Sequence, residues 1–273
     1  MTDVLADAGA APRLGLTFVP WDRPPEDLPA FARLVEDSGL DTLWLWEDCF
    51  AQSGLACAAT ALAGTSRIRV GVALLPTPLR NVALTAMELA TLARLYPGRL
   101  LPGIGHGVQD WMAQAGAKVA SPMTLLREYA VALRALLAGE EVTVSGRYVK
   151  LDRVRLRYPP TEPLPLLMGG FGEKTLRLSA ELADGVLLAR GGAEAVGRMR
   201  GVLDETGSRA GIVLGIGPEE GANIPGAAEA ITAAARAGAT DITVEPAPDE
   251  PDLPGLIEAV RAAGGHAGET ITT

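Results

Sequence analysis

The segment Gly169-Gly170-Phe171-Gly172-Glu173-Lys174 is the part of the chain best suited to hold an anion. Glycines let a backbone approach a ligand closely, and the start of a helix offers unpaired N–H groups to negative charge. Phosphate is the obvious anion, with Lys174 as counter-charge. An ordinary glycine-rich turn is the competing reading, because no Lys-Ser/Thr pair of the nucleotide-loop type follows. A second candidate is Gly103-Ile104-Gly105-His106-Gly107. His106 is one of only two histidines, and an imidazole there suits hydrogen-bond donation or proton transfer near neutral pH. A tight turn with an exposed ring is the plainer alternative. His266, in a glycine-rich stretch near the C-terminus, is assigned no role. A third candidate is Trp46-Glu47-Asp48. Its carboxylates suit proton handling, and equally an ion pair or a helix cap, which is a serious competitor at Asp48. Trp44 and Trp46 share a strand face; Trp46 could wall a planar ligand, while Trp44 is assigned to the core. Trp111 is a candidate substrate contact.

Other chemistries fit poorly. Cys49 and Cys57 with two histidines do not make a zinc pattern, and no metal site is expected. The two thiols are expected to be reduced, as in the cytoplasm. A net charge of −9 argues against nucleic acid and anionic membranes as partners. The first residues lack a basic start and a long apolar run, so they do not resemble a secretory signal. No apolar stretch is long enough for a membrane span.

The elements that must position these groups alternate. Apolar strands are predicted at Arg13–Val19, Thr42–Glu47, Arg67–Leu75, Arg99–Ile104, Leu164–Met168, Gly185–Ala189, Gly211–Ile216 and Asp241–Val244. Helices are predicted between them, ending with Leu253–Ala263. In Val82–Tyr96, Leu89, Leu92, Ala93 and Tyr96 share one face at helical spacing. A long loop follows the fourth strand, then Ser121-Pro122 as N-cap and first-turn pair for the next helix. Residues Glu140–Tyr158 form an insertion, read as a short hairpin. Eight βα units of this length favour a closed (β/α)8 TIM barrel with an insertion after strand 4 over an open sheet. The expected organisation is a flexible tail (1–12), one barrel domain (13–265) and a C-terminal tail (266–273). In such barrels the chemistry sits at the C-terminal ends of the strands, where all three candidate segments fall.

Three stretches together resemble the bacterial luciferase-like superfamily of flavin- and F420-dependent oxidoreductases: LVEDSGLDTLWLWED (34–48), TSRIRVGVALLPTPLRNVALTAMELATLARLYPGRLLPGIGHG (65–107) and PPTEPLPLLMGGFGEKTLRLSAELADGVLLARGG (159–192). The resemblance implies a barrel holding an isoalloxazine-like ring at its mouth, with the phosphate near Gly169–Gly172. It also implies a non-proline cis peptide between Ala73 and Leu74, behind the ring. Gly105, His106, Gly169, Gly170, Phe171, Gly172, Ala189 and Arg190 complete the expected cofactor contacts, Arg190 as a cation near the tail. Two positions depart from the family pattern. A histidine is common right after the acidic residue that closes strand two; here the run is Glu47-Asp48-Cys49. Val108 stands where the sugar-phosphate dehydrogenases carry a glutamate, which speaks against sugar-phosphate oxidation.

The expected activity is hydride transfer between coenzyme F420 and a small organic substrate, with His106, Asp48 and Glu47 as catalytic candidates and Trp46 and Trp111 toward the substrate. An FMN-dependent monooxygenase is the alternative, and a non-catalytic flavin- or deazaflavin-binding protein the second alternative. The resemblance further implies a homodimer.

Overall fold

The computed structural model describes residues 10–170, 172–248 and 250–270, with 265–270 described by backbone alone. The chain runs β1 (Arg13–Phe18), α1 (Leu28–Asp37), β2 (Thr42–Leu45), α2 (Gly54–Ala63), β3 (Arg69–Pro76), α3 (Val82–Leu95) and β4 (Leu100–Gly105). It continues through α4 (Gln109–Gln114), α5 (Pro122–Leu137), β5 (Val142–Ser145), β6 (Lys150–Val154), β7 (Leu167–Gly169), α6 (Glu173–Leu182) and β8 (Gly185–Leu188). It closes with α7 (Gly192–Thr206), β9 (Gly211–Ile216), α8 (Ile224–Arg236), β10 (Asp241–Val244) and α9 (Leu253–Thr270). Parallel strands form a closed barrel in the order β1-β10-β9-β8-β7-β4-β3-β2, as the sequence pattern predicts. The insertion is the antiparallel pair β5–β6.

Three sequence expectations need correction. The long loop after β4 contains α4, a short helix with one buried anchor, Met112. Strand β2 stops at Leu45, so Trp46 and Glu47 lie beyond the ladder, in the loop above it. The closing helix also runs further than its apolar pattern suggested, to Thr270.

Strand alternation explains the two apolar layers. Leu43 and Leu45 point outward to the layer between strands and helices, while Trp44 points into the barrel. Trp44, Leu101, Leu167, Leu187 and Val213 fill the interior, with Ala73 and Leu74 packed on top. Gly71 makes room for the indole: a Cβ there would lie 2.3 Å from the Trp44 ring. The Trp44 Nε1 donates to Thr42 Oγ1 at 3.2 Å, so its one polar atom is paired in the core. Truncating Trp44 to alanine would cost about 3–5 kcal/mol. The opposite end of the barrel is sealed by charge, where Arg13 Nε donates to the fully buried Asp241 at 2.9 Å. The upper end is left to the loops.

Helix starts follow from local side chains. Ser53 caps α2, Asn81 caps α3 through a 2.9 Å bond to the Ala83 N–H, and Asn223 caps α8. Ser121 occupies the cap position of α5 ahead of Pro122, but its hydroxyl pairs with Thr124 Oγ1 at 2.8 Å instead of a backbone N–H. The insertion is fastened to α5 by Glu128, whose carboxylate accepts the N–H groups of Arg147, Tyr148 and Val149.

Candidate active site

The candidate residues gather at the C-terminal mouth of the barrel, on two sides. On the β3–β4–β7 side, Leu74 is the floor. The Ala73–Leu74 peptide is cis, at the place the family resemblance implied, and so is Cys49–Phe50. The β3–β4 register shifts between Val72 and Leu75, which lifts Leu74 off the ladder. Two of the glycines read from the sequence as ligand contacts make space for this side chain. A Cβ on Gly105 would lie 2.7 Å from Leu74 Cδ2 and 2.9 Å from the Gly169 carbonyl oxygen. A Cβ on Gly169 would lie 3.3 Å from the same leucine and 2.7 Å from Leu187.

His106 follows β4, and its Nδ1 lies 2.9 Å from the Gly107 carbonyl oxygen. An N–H at Nδ1 leaves Nε2 free to exchange a proton or a hydrogen bond. Nε2 faces Gly170, where a Cβ would approach it to 3.3 Å. Gly172 caps α6 and is open, its nearest neighbour to a Cβ being Thr175 Oγ1 at 4.0 Å. Glu173 and Lys174, exposed in the first turn, present backbone N–H groups ahead of the first bonds back to Gly172, from Thr175 and Leu176. Phe171 and the side chain of His266 lie outside the described residues.

On the β2–β10–β8 side the mouth is aromatic and acidic. Asp48 is half-buried, and its Oδ2 accepts the Trp21 Nε1–H at 3.1 Å. Burial pushes its carboxyl above the usual range, with the indole bond opposing. Trp111, on α4, packs against Trp21 at 6.4 Å between ring centroids. Arg190 leaves β8 and places its guanidinium 5.5 Å over the Trp46 ring. It also forms a 2.6 Å ion pair with Glu245, just beyond β10. Glu245 is 3 % exposed; burial raises its pKa, partly offset by Arg190. Thus Arg190 points across the mouth rather than toward the first turn of α6. Ala189 contributes a carbonyl that accepts from Arg190 Nη1 at 2.9 Å.

Glu47 is separated from this group. It is buried, pairs with Arg80 at 2.6 Å, and accepts the Gly54 N–H at 2.7 Å, which fastens the start of α2. Its oxygens are engaged in holding the scaffold. The cap competitor for Asp48 is settled by Ser53, which occupies that position instead. Sequence reasoning missed Trp21, Arg80 as a partner of Glu47, and Glu245 as a site group. The Glu245-Pro246 step after the last strand was the one visible signal for Glu245.

Cys49 and Cys57 are free thiols, both buried. No helix among the described residues is long and apolar enough to cross a membrane.

Comparison with known proteins agrees with this architecture. Residues 5–255 match the family model described as luciferase-like monooxygenase. The chain belongs to the bacterial luciferase-like superfamily, in its F420- and flavin-dependent oxidoreductase branch. It is 33% identical over 175 residues to the 5,10-methylenetetrahydromethanopterin reductase of Methanolobus tindarius, covering 64% of this chain and 53% of that one. It is 30% identical over 212 residues to the F420-dependent glucose-6-phosphate dehydrogenase of Kineococcus radiotolerans, covering 67% and 62%. The matched region thus spans little more than half the length of these relatives. An F420-dependent secondary alcohol dehydrogenase superposes with a TM-score of 0.80 at 18% identity, over 92% of this chain and 99% of that one. An FMN-bound type II Baeyer–Villiger monooxygenase from Pseudomonas putida gives 0.76 at 16%, over 95% and 98%. At these identities the structural matches speak for the fold.

Proposed function

We propose that the protein is an oxidoreductase that holds a deazaflavin of the F420 type over Leu74 and exchanges a hydride with a small organic substrate. The observation that carries this reading is the joint geometry of the β3 and β7 ends. Leu74 forms an apolar platform at the mouth, and beside it the open Gly172 turn presents the start of α6 to an anion. The printed names of several relatives support F420 as the cofactor. The fit is chemical as well: an apolar face for a fused ring lies next to N–H donors and Lys174 for a phosphate. When bound, the cofactor supplies the hydride chemistry.

The chain's own groups bind and move protons. Gly170, Gly172 and the first turn of α6 hold the anionic tail. His106 Nε2, directed to the Gly170 turn, donates or accepts a hydrogen bond there. Asp48, whose carboxyl burial pushes above the usual range, hands a proton to or takes one from the substrate, and Trp21 fixes its orientation. Trp46 and Trp111 line the substrate side. Glu47 supports the site through α2 without touching the reacting groups. The protein works as a homodimer, paired through the apolar surface that Leu84, Met87 and Leu95 leave exposed on α3.

The test is a spectroscopic titration of the purified protein with F420 and with FMN. Saturable micromolar binding of F420, with bleaching under anaerobic turnover, is the expected result. Oxygen uptake with reduced FMN and no response to F420 would replace this reading by the monooxygenase one. Binding without turnover, unaffected by loss of His106 and Asp48, would leave a cofactor-binding protein. No binding of either cofactor overturns the proposal.

A further inference from the structure

The closed strand order places β8 and β2 diametrically opposite, four steps apart in either direction around β1-β10-β9-β8-β7-β4-β3-β2. Arg190 starts from the β8 side and ends over Trp46, on the β2 side. The intervening strand β9 is built to let it pass. A Cβ on Gly217 would lie 3.2 Å from the guanidinium carbon of Arg190. A Cβ on Gly215 would lie 3.2 Å from both the Ala189 carbonyl oxygen and Glu245 Oε1. Side chains at these two positions would crowd the ion pair; glycine leaves the gap in which β8 and β10 meet.

The result is a planar cation held over an indole, with Nη1 on a buried carboxylate. Such a contact is attractive, more so the less water reaches it. The surroundings are acidic: Asp48 and Glu220 act electrostatically on Glu245, and Glu219 and Glu220 on Arg190. Lys174 and the start of α6 belong to the β7 side. The mouth is therefore polarised, with anion-holding groups near β7 and an aromatic, carboxylate-rich arc from β2 to β10.

We propose that this arc is the substrate subsite, and that it selects a planar group bearing N–H donors or positive charge. Such a group stacks on Trp46 and bonds Glu245 where the Arg190 guanidinium now sits. Arg190 occupies the subsite as an internal surrogate and is the specificity-determining residue. Planar anions are refused by Asp48, Glu220 and Glu245, since like-charge contact in a half-buried site is strongly unfavourable. This deepens the reading above by naming the substrate class, and it rests on that reading for the position of the substrate.

The probes are benzamidinium and its anionic isostere benzoate, titrated into the whole protein by ligand-observed NMR and tryptophan emission. Benzamidinium should bind at least about tenfold more tightly than benzoate, a gap of about 1.4 kcal/mol. Arg190→Ala removes the internal competitor and should tighten benzamidinium severalfold. Glu245→Gln should weaken it, with near-ultraviolet circular dichroism unchanged in both variants. Equal or tighter binding of benzoate, no saturable binding of either ion, or weaker benzamidinium binding to Arg190→Ala overturns the proposal. F420 and FMN titrations read by cofactor absorbance are scored separately. Loss of cofactor binding with charge selection intact sinks the oxidoreductase reading alone, and the reverse pattern sinks this one alone.

Discussion

The Trp21 indole and the Asp48 carboxylate are joined by a 3.1 Å hydrogen bond that ties the loop after β1 to the end of β2. Burial holds Asp48 above the usual aspartate range, so the folded chain binds this proton more readily than the unfolded chain. The stability it contributes is full below the ordinary aspartate pKa and is lost as pH rises through the raised folded value. Asp48→Asn should abolish that dependence. Melting temperatures measured from about pH 3 to about pH 7 should show the variant gaining on the parent as pH rises; parallel curves would refute the assignment.

Arg80→Met should be strongly destabilising, because the Arg80 side chain is itself only 18% exposed. It leaves the Glu47 carboxylate, 8% exposed, without its cation. Breaking a buried pair in this way costs about 3–5 kcal/mol. Urea unfolding measures it, and adding Glu47→Gln to the same chain should return part of the loss.

Two glycines of the site should separate cleanly. Gly105→Ala drives a Cβ into Leu74 and the Gly169 carbonyl, and overpacking of this kind costs about 1–3 kcal/mol. Gly172→Ala meets open space and should cost less than about 1 kcal/mol in stability. If the α6 turn holds the cofactor's phosphate, Gly172→Ala weakens cofactor binding while the melting temperature barely moves. Unchanged affinity would remove the phosphate from that turn.

His106→Ala should lower turnover by about a hundredfold or more, the usual scale for loss of a proton-transfer group. The ring is only partly buried, so unfolding free energy should change by less than about 1 kcal/mol. Turnover within twofold of the parent, as an order-of-magnitude criterion, would reduce His106 to a turn residue.

The barrel was legible because its signals are local. Each strand announces itself by an apolar run, and each connection by a glycine or proline; the order of eight such units selects closure. Helix α4 escaped because six residues around Trp111 and Met112 give too short a periodic pattern. The site was legible only as a list of strand ends. Sequence placed Arg190 and Glu245 on separate loops, 55 residues apart. Their meeting depends on Gly215 in the strand between them and Gly217 just past its end, which composition cannot show. Likewise, nothing local distinguishes the scaffold role of Glu47 from the place of its half-buried neighbour Asp48 at the mouth; the difference is made by Arg80, a full βα unit away.

The β4–β7 seam joins only Gly103 to Leu167 and Ile104 to Met168, while β1 and β10 share the rungs from Arg13 to Leu16. The β5–β6 hairpin lies in the connection spanning that narrow seam. A nick introduced in the hairpin would therefore divide the molecule into an N-terminal half carrying His106 and Asp48 and a C-terminal half carrying Arg190 and Glu245. Neither half alone has a complete mouth, so co-expressed fragments would regain ligand binding only by complementation.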